Sequence, residues 1–171
     1  MVAALELYLD TDATRRIRVL WDALESEGVQ SMRSLLERRH RPHVSLAVAS
    51  RFDPDRVAAA LHGMVVAAPL RLSFAHAGQF VGRVLWLGPV PTAELLAHHR
   101  EVHARLTAAG VDLLAHYRPG RWVPHCTLSM RVPNALMAAA VRRCLEVLPM
   151  DATVVGAALT DHARGISRPL S

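Results

Sequence analysis

Two short stretches carry the residue types that move protons and grip anions. Pro42-His43-Val44-Ser45-Leu46 recurs 82 residues later as Pro124-His125-Cys126-Thr127-Leu128, with serine and threonine as equivalent hydroxyls. Along an extended strand, residues i and i+2 share a face. His43 and Ser45 therefore point one way, as do His125 and Thr127, while Val44, Leu46, Cys126 and Leu128 point the other way, toward a core. An imidazole, with an ordinary pKa of about 6.5, takes or gives a proton near neutrality. Two imidazoles and two hydroxyls converging on one ligand can bracket a phosphorus atom: a base on one side, an acid on the other, and hydroxyl donors for the non-bridging oxygens. Such a set can split a phosphodiester by acid–base catalysis. A 2′,3′-cyclic phosphate suits it, because in-line attack by water needs a proton taken at one end and given to the leaving ribose oxygen at the other. Taken singly, a His-x-Ser on a strand reads as a histidine satisfied within the core; the doubling is what points to chemistry.

Ser45 as a nucleophile activated by His43 is a weaker reading. Alternate positions on a strand lie roughly 6.5–7 Å apart at the backbone, and no Gly-x-Ser-x-Gly elbow surrounds the serine.

The elements that must position these motifs repeat as well. Val2–Leu9 and Val84–Pro91 read as strands at the same displacement. Thr11–Glu27 places Ile17, Leu20, Trp21 and Leu24 at helical spacing behind an N-cap at Thr11 or Asp12, and Thr92–Ala109 answers it with Leu95, Leu96, Val102 and Leu106 before Gly110. Each motif strand is followed by a proline-led helix, Val57–Ala67 and Ala135–Leu148, and then by a closing strand, Leu70–His76 and Ala152–Leu159. Strand, helix, motif strand, helix, strand thus occurs twice, which predicts one domain of two pseudo-symmetric lobes, approximately 1–77 and 83–160. Residues 28–40 extend the first helix or form a short second one, Gly78–Gly82 reads as the turn between the lobes, and the tail after Asp161 as the less ordered end.

The paired motifs, His43-Val44-Ser45-Leu46 and His125-Cys126-Thr127-Leu128, together with Trp122 three residues before His125, resemble the 2H phosphoesterase superfamily. Within it the chain is most similar to bacterial 2′-5′ RNA ligase-type proteins. The resemblance implies a bilobal, duplicated α+β fold, with two antiparallel sheets facing a central cleft and helices packed outside. It implies chemistry on 2′,3′-cyclic or 2′-5′ phosphodiesters at RNA ends or on nucleotides, without metal or cofactor. Carried over by position, His43 and His125 would be the acid–base pair, and Ser45 and Thr127 the phosphate-oxygen donors. Ligase-type members often place an arginine soon after the second motif. Here Arg131 lies six residues past His125, on the same face if the strand runs that far.

The loop His116-Tyr117-Arg118-Pro119-Gly120-Arg121-Trp122 runs directly into the second motif. Arg118 or Arg121 could meet a flanking phosphate, Arg121 above all because Arg39 matches it in the first half, and Tyr117 or Trp122 could stack on a base. The alternative is a Pro-Gly turn with solvated arginines and a tryptophan packed inside. His98, His99 and His103 suggest a metal by spacing, but no glutamate completes a His-Glu-x-x-His pattern, and a surface helix face is the better reading.

Composition removes further classes. All 20 basic residues are arginine, so no Walker loop, kinase ATP site, Schiff-base lysine or lysyl-nucleotide intermediate is available. A net charge of +5 suits a phosphate-bearing partner. No apolar run approaches the about 18 residues of a membrane helix, and the N-terminus lacks a basic region, so a cytoplasmic protein is expected. Cys126 and Cys144 form no disulfide framework. A duplicated unit supplies its own pseudo-symmetric partner, which favours a monomer with no stable protein partner. The competing function is a non-catalytic RNA- or nucleotide-binding module that keeps the cleft without turnover.

Overall fold

A computed structural model describes residues 3–35, 40–64, 70–161 and 164–170. The chain runs β1 (Ala3–Leu9), α1 (Thr11–Ser26), β2 (His43–Ala49), α2 (Pro54–Ala60), β3 (Arg71–Phe80), β4 (Val84–Pro89), α3 (Ala93–Ala108), β5 (Cys126–Ser129), α4 (Met137–Leu145), β6 (Met150–Asp161) and β7 (Ile166–Leu170). Its first ten elements follow the order expected from the repeat.

Every strand pairing is antiparallel. The two expected ladders are present but continuous, because β6 belongs to both. Met150–Thr153 pairs with β3, and Val154–Asp161 pairs with β1. The strand path is β2-β1-β6-β3-β4-β5, with β7 added on β6. The motif strands β2 and β5 thus end the path, and the sheet curls until they meet. The segments beside them are tied in as well: Trp122 Nε1, ahead of β5, donates to the Ser45 carbonyl of β2 at 3.1 Å, and Met32 N, ahead of β2, to the Leu128 carbonyl of β5 at 2.8 Å.

Helix α1 buries Ala13, Ile17, Leu20, Trp21 and Leu24, one stripe at helical spacing. On the motif strands, Val44, Leu46, Cys126 and Leu128 are all buried to 1% exposure or less. Full burial of a leucine or valine contributes about 1.5–3 kcal/mol, so these four fix which way each motif faces.

Several expectations are corrected. The N-cap of α1 is Asp10, not Thr11 or Asp12: its Oδ1 accepts from Ala13 N at 3.0 Å, and its Oδ2 from Thr153 N at 2.6 Å, tying the helix start to β6. Helix α1 stops at Ser26 because the backbone reverses at Gly28 (φ +82°), so residues 28–40 do not extend it; 32–34 form a turn, and 36–39 lie outside the described residues. Helix α2 ends at Ala60, short of the expected Ala67, and residues 65–69 lie outside the described residues. Strand β3 runs through Gly78 and Gln79 to Phe80, so the turn shrinks to the residues before β4, where Gly82 has φ +90°. The tail is no loose end: Ile166–Leu170 pairs along β6, and Arg168 meets Asp55 at 2.6 Å. Among the described residues, no helix is long and apolar enough to cross a membrane.

Burial pushes the Asp10 carboxyl up, but the N–H groups of Ala13 and Thr153 outweigh it and hold it below its ordinary 3.8. Asp10→Ala should cost about 1–2 kcal/mol of unfolding free energy. A lowered folded-state value gives stability that is present above pH 3.8 and lost as pH falls through the folded value. Urea titrations should therefore show the gap between wild type and Asp10→Ala narrowing in acid.

Candidate active site

Both motif histidines enter their strands in the same way. Pro42 and Pro124 keep the backbone extended just ahead of each ring. His43 Nδ1 then lies 2.7 Å from the Arg41 carbonyl, and His125 Nδ1 lies 2.7 Å from the Val123 carbonyl. A carbonyl only accepts, so Nδ1 carries the hydrogen in both rings and Nε2 is left as the atom that can exchange a proton.

Each motif strand is also kinked at the same place. In the β1–β2 ladder the register steps from Leu5↔Ala47 to Glu6↔Ser45, skipping Leu46. In the β4–β5 ladder it steps from Leu85↔Ser129 to Trp86↔Thr127, skipping Leu128. A bulge of this kind re-aims the neighbouring side chains, and here it sits next to Ser45 and Thr127.

The loop before β5 brings the two motifs side by side by running along the outer edge of β2. Leu113 bridges to Ala49, Leu114 N donates to Val48 O at 2.8 Å, and Trp122 Nε1 takes Ser45 O. His99 completes this edge from α3. It is 1% exposed, its Nε2 lies 2.9 Å from Tyr117 O, and its ring stacks on Trp122 at 4.0 Å with 5° between planes. His99 is therefore no surface residue, contrary to the reading of the helix face. Burial lowers its pKa to about 4 against the opposing pull of the Tyr117 and Leu46 backbone.

His125 faces an aromatic wall. Phe80 meets it edge-on at 4.7 Å, Trp86 lies at 6.2 Å and Tyr117 at 6.5 Å. Glycines let this wall close: a Cβ at Gly78 would lie 2.4 Å from the Trp86 ring, and one at Gly88 would lie 2.2 Å from His76 Nε2. Burial lowers the His125 pKa, the charges of His43 and His116 lower it further, and the Val123 carbonyl opposes them. Burial pushes the Tyr117 phenol up to about 12, with a Ser45 hydrogen bond working against it and the Glu6 charge adding to it. Tyr117 thus stays a proton-bearing phenol beside Ser45. Burial also pushes the Cys126 thiol up to about 12, so it is no thiolate nucleophile.

The other expected site residues are placed differently from one another. Thr127 lies opposite Trp86 in the ladder and is half-buried. Trp122 is only 8% exposed, with one face under His99 and its N–H donated to β2, so it is placed as scaffold and not as a stacking surface. Arg121 is exposed on the turn after Gly120, and its counterpart Arg39 lies outside the described residues. Arg131 is exposed beyond the end of β5 at Ser129, so the strand does not carry it onto the His125 face.

Residues that the motifs did not announce complete the site. The Glu6 carboxylate, 3% exposed, lies with Oε1 3.5 Å from His43 Nε2. It accepts from Thr160 Oγ1 at 2.7 Å and from the Tyr8 hydroxyl at 3.1 Å. The signal was there: Glu6 and Tyr8 alternate with leucines in an otherwise apolar strand. Beyond them a cavity of about 690 Å³ opens between β1, β6 and β7, with Arg41 and Ser167 on its lining. Among the described residues, no group of three His, Cys, Asp or Glu side chains is arranged to hold a metal ion.

The family model for the 2′-5′ RNA ligase superfamily matches residues 13–166. The chain belongs to that superfamily. With it stands the resemblance to 2H phosphoesterases carried by the two histidine motifs. Among solved structures, Escherichia coli LigT in apo form superposes with a TM-score of 0.64 at 19% identity, covering 99% of this chain and 94% of that one. A structure described as a phosphoesterase gives 0.63 at 18% identity, with coverages of 98% and 92%. Kluyveromyces marxianus Usb1 gives 0.51 at 11% identity, with coverages of 99% and 98%. At these identities the likeness is one of fold. No curated protein matches the sequence.

The buried, neutral His99 makes a prediction on stability. Its folded value of about 4 lies below the ordinary 6.5, so its contribution is present above pH 6.5 and lost as pH falls toward 4. The loss should reach roughly 3 kcal/mol. In His99→Phe that component should vanish, so urea-denaturation curves of the two proteins should converge toward pH 4.

Proposed function

We propose that this superfamily member is a metal-independent phosphodiesterase acting on 2′,3′-cyclic phosphates or 2′-5′ phosphodiesters of RNA ends or nucleotides. The observation that carries the reading is the matched presentation of two imidazoles. Both rings are locked through Nδ1 to a carbonyl two residues earlier at 2.7 Å, on strands that touch, with Nε2 left for proton exchange. The charge of His43 is among the causes that lower the His125 pKa, which supports the two rings acting together.

In this mechanism one ring takes a proton from water and the water oxygen attacks phosphorus in line. The bond from phosphorus to a ribose oxygen breaks, the second ring protonates that oxygen, and a phosphomonoester leaves. Ser45 and Thr127 donate to the non-bridging oxygens, and the protonated Tyr117 phenol stands ready beside Ser45. Phe80, half-buried and backed by the buried Trp86, offers a base a stacking surface. Residues 1–77 and 83–160 would each contribute one motif, with β3 and the second half of β6 exchanged between the two ladders.

Purified protein assayed in chelator on nucleoside 2′,3′-cyclic monophosphates and on a 2′-5′-linked dinucleotide tests this reading. Turnover should follow a bell-shaped pH profile. His43→Ala and His125→Ala should each lower kcat by about 10²–10⁴-fold. Binding without turnover, altered by the same substitutions only in affinity, would establish the binding-module alternative instead.

A further inference from the structure

The two motifs are matched in their own geometry but not in what faces them. Opposite Ser45 on the neighbouring strand stands Glu6, whereas opposite Thr127 stands Trp86. One half of the site meets a carboxylate and the other an indole.

We propose that Glu6 is a positioning residue that holds a proton on His43 Nε2 and so makes His43, and not His125, the ring that protonates the leaving oxygen. The inference rests on the phosphodiesterase reading above. Since Nδ1 of His43 is committed to the Arg41 carbonyl, the ring can meet the carboxylate oxygen at 3.5 Å in two ways only. A bare Nε2 lone pair would face a negative oxygen, which is repulsive; a protonated Nε2 gives the carboxylate an ionic partner. The carboxylate is held in place to do this by Thr160 Oγ1 and the Tyr8 hydroxyl. Burial, and then Glu6 itself, raises the Tyr8 phenol well above its ordinary range, so Tyr8 remains a donor.

The other charged and titratable groups around His43 come from three directions. Tyr8 comes from β1 beside Glu6. Arg41, whose guanidinium lies over the Tyr8 ring at 4.2 Å, and His40, stacked at 6.4 Å, come from the segment before β2. His125 and the thiol of Cys126 come from the second motif, and Tyr117, beside Ser45, from the loop before it. Glu6 is the one carboxylate among these groups. Among the described residues His125 has no carboxylate at ion-pair distance, and its aromatic surroundings favour the neutral ring that a base must be. The proton balance follows: His125 takes the proton of water, the new P–O bond forms as the ribose oxygen leaves, and the Nε2 proton of His43 goes to that oxygen.

Glu6→Gln keeps the shape and removes the charge. On a 2′,3′-cyclic nucleotide its kcat should fall about 10–100-fold with KM changed less than about threefold, and the alkaline limb of the pH profile should move down by about one unit. On an aryl phosphodiester, whose phenolate leaves without a proton, the loss should shrink several-fold. Glu6→Asp should restore part of the activity. Independently of turnover, imidazole NMR should show His43 taking its Nε2 proton about one pH unit lower in Glu6→Gln, with His125 moved less. If Glu6→Gln does not fold, Glu6→Asp carries the same NMR test with a smaller shift of the same sign. Unchanged protonation of His43, or an equal loss on both substrates, would overturn the proposal. An inactive wild type would overturn the phosphodiesterase reading and with it the acid role, while the NMR result would still decide whether Glu6 holds the proton.

Discussion

One indole joins the two halves of the site. Strands β2 and β5 lie at opposite ends of a six-strand path and share no ladder. A strand edge presents polar groups that must find partners, and the edge of β2 finds them in the chain that leads to β5. Trp122 caps the Ser45 carbonyl, Leu114 caps Val48, and His99 holds both the Trp122 ring and the Tyr117 carbonyl. A buried tryptophan covers roughly 150–250 Å², and its single N–H is worth about 1 kcal/mol once paired. Through this seam the segment that leads to His125 is tied directly to the strand that carries His43.

The duplication gives each half the same tools: a proline, a histidine tied to a carbonyl two residues back, a hydroxyl, and a leucine skipped by the ladder. The proposed chemistry at one phosphorus atom, however, needs unequal partners. The inequality comes from the strand next door, where β1 offers Glu6 and β4 offers Trp86. A doubled scaffold can keep its motifs matched while the neighbouring strands diverge, since strand neighbours alter polarity around a ring without altering how it is held.

Much of this was legible in the sequence because it rests on local periodicity and on repetition. The order of elements, the inward leucines of both motifs and the common face of His43 and Ser45 follow from strand and helix periods. What was not legible depends on contacts between distant segments. The helical spacing of His99 reads as a polar face until the Trp122 ring is known to lie over it. Arg131 keeps even spacing from His125, but the strand stops first. Asp10 caps α1 in preference to Asp12 because it also serves Thr153, 143 residues away. The tail reads as loose because pairing with β6 leaves no strong alternation in five residues that include a proline.

A single twelve-residue strand, β6, runs through both ladders. Jaws built on separate sheets can swing about a linker, but these share a backbone girder that hydrogen-bonds to β3 along one stretch and to β1 along the next. Widening the gap would mean shearing those rungs. The two halves are thus joined by hydrogen-bonded backbone and not by a linker.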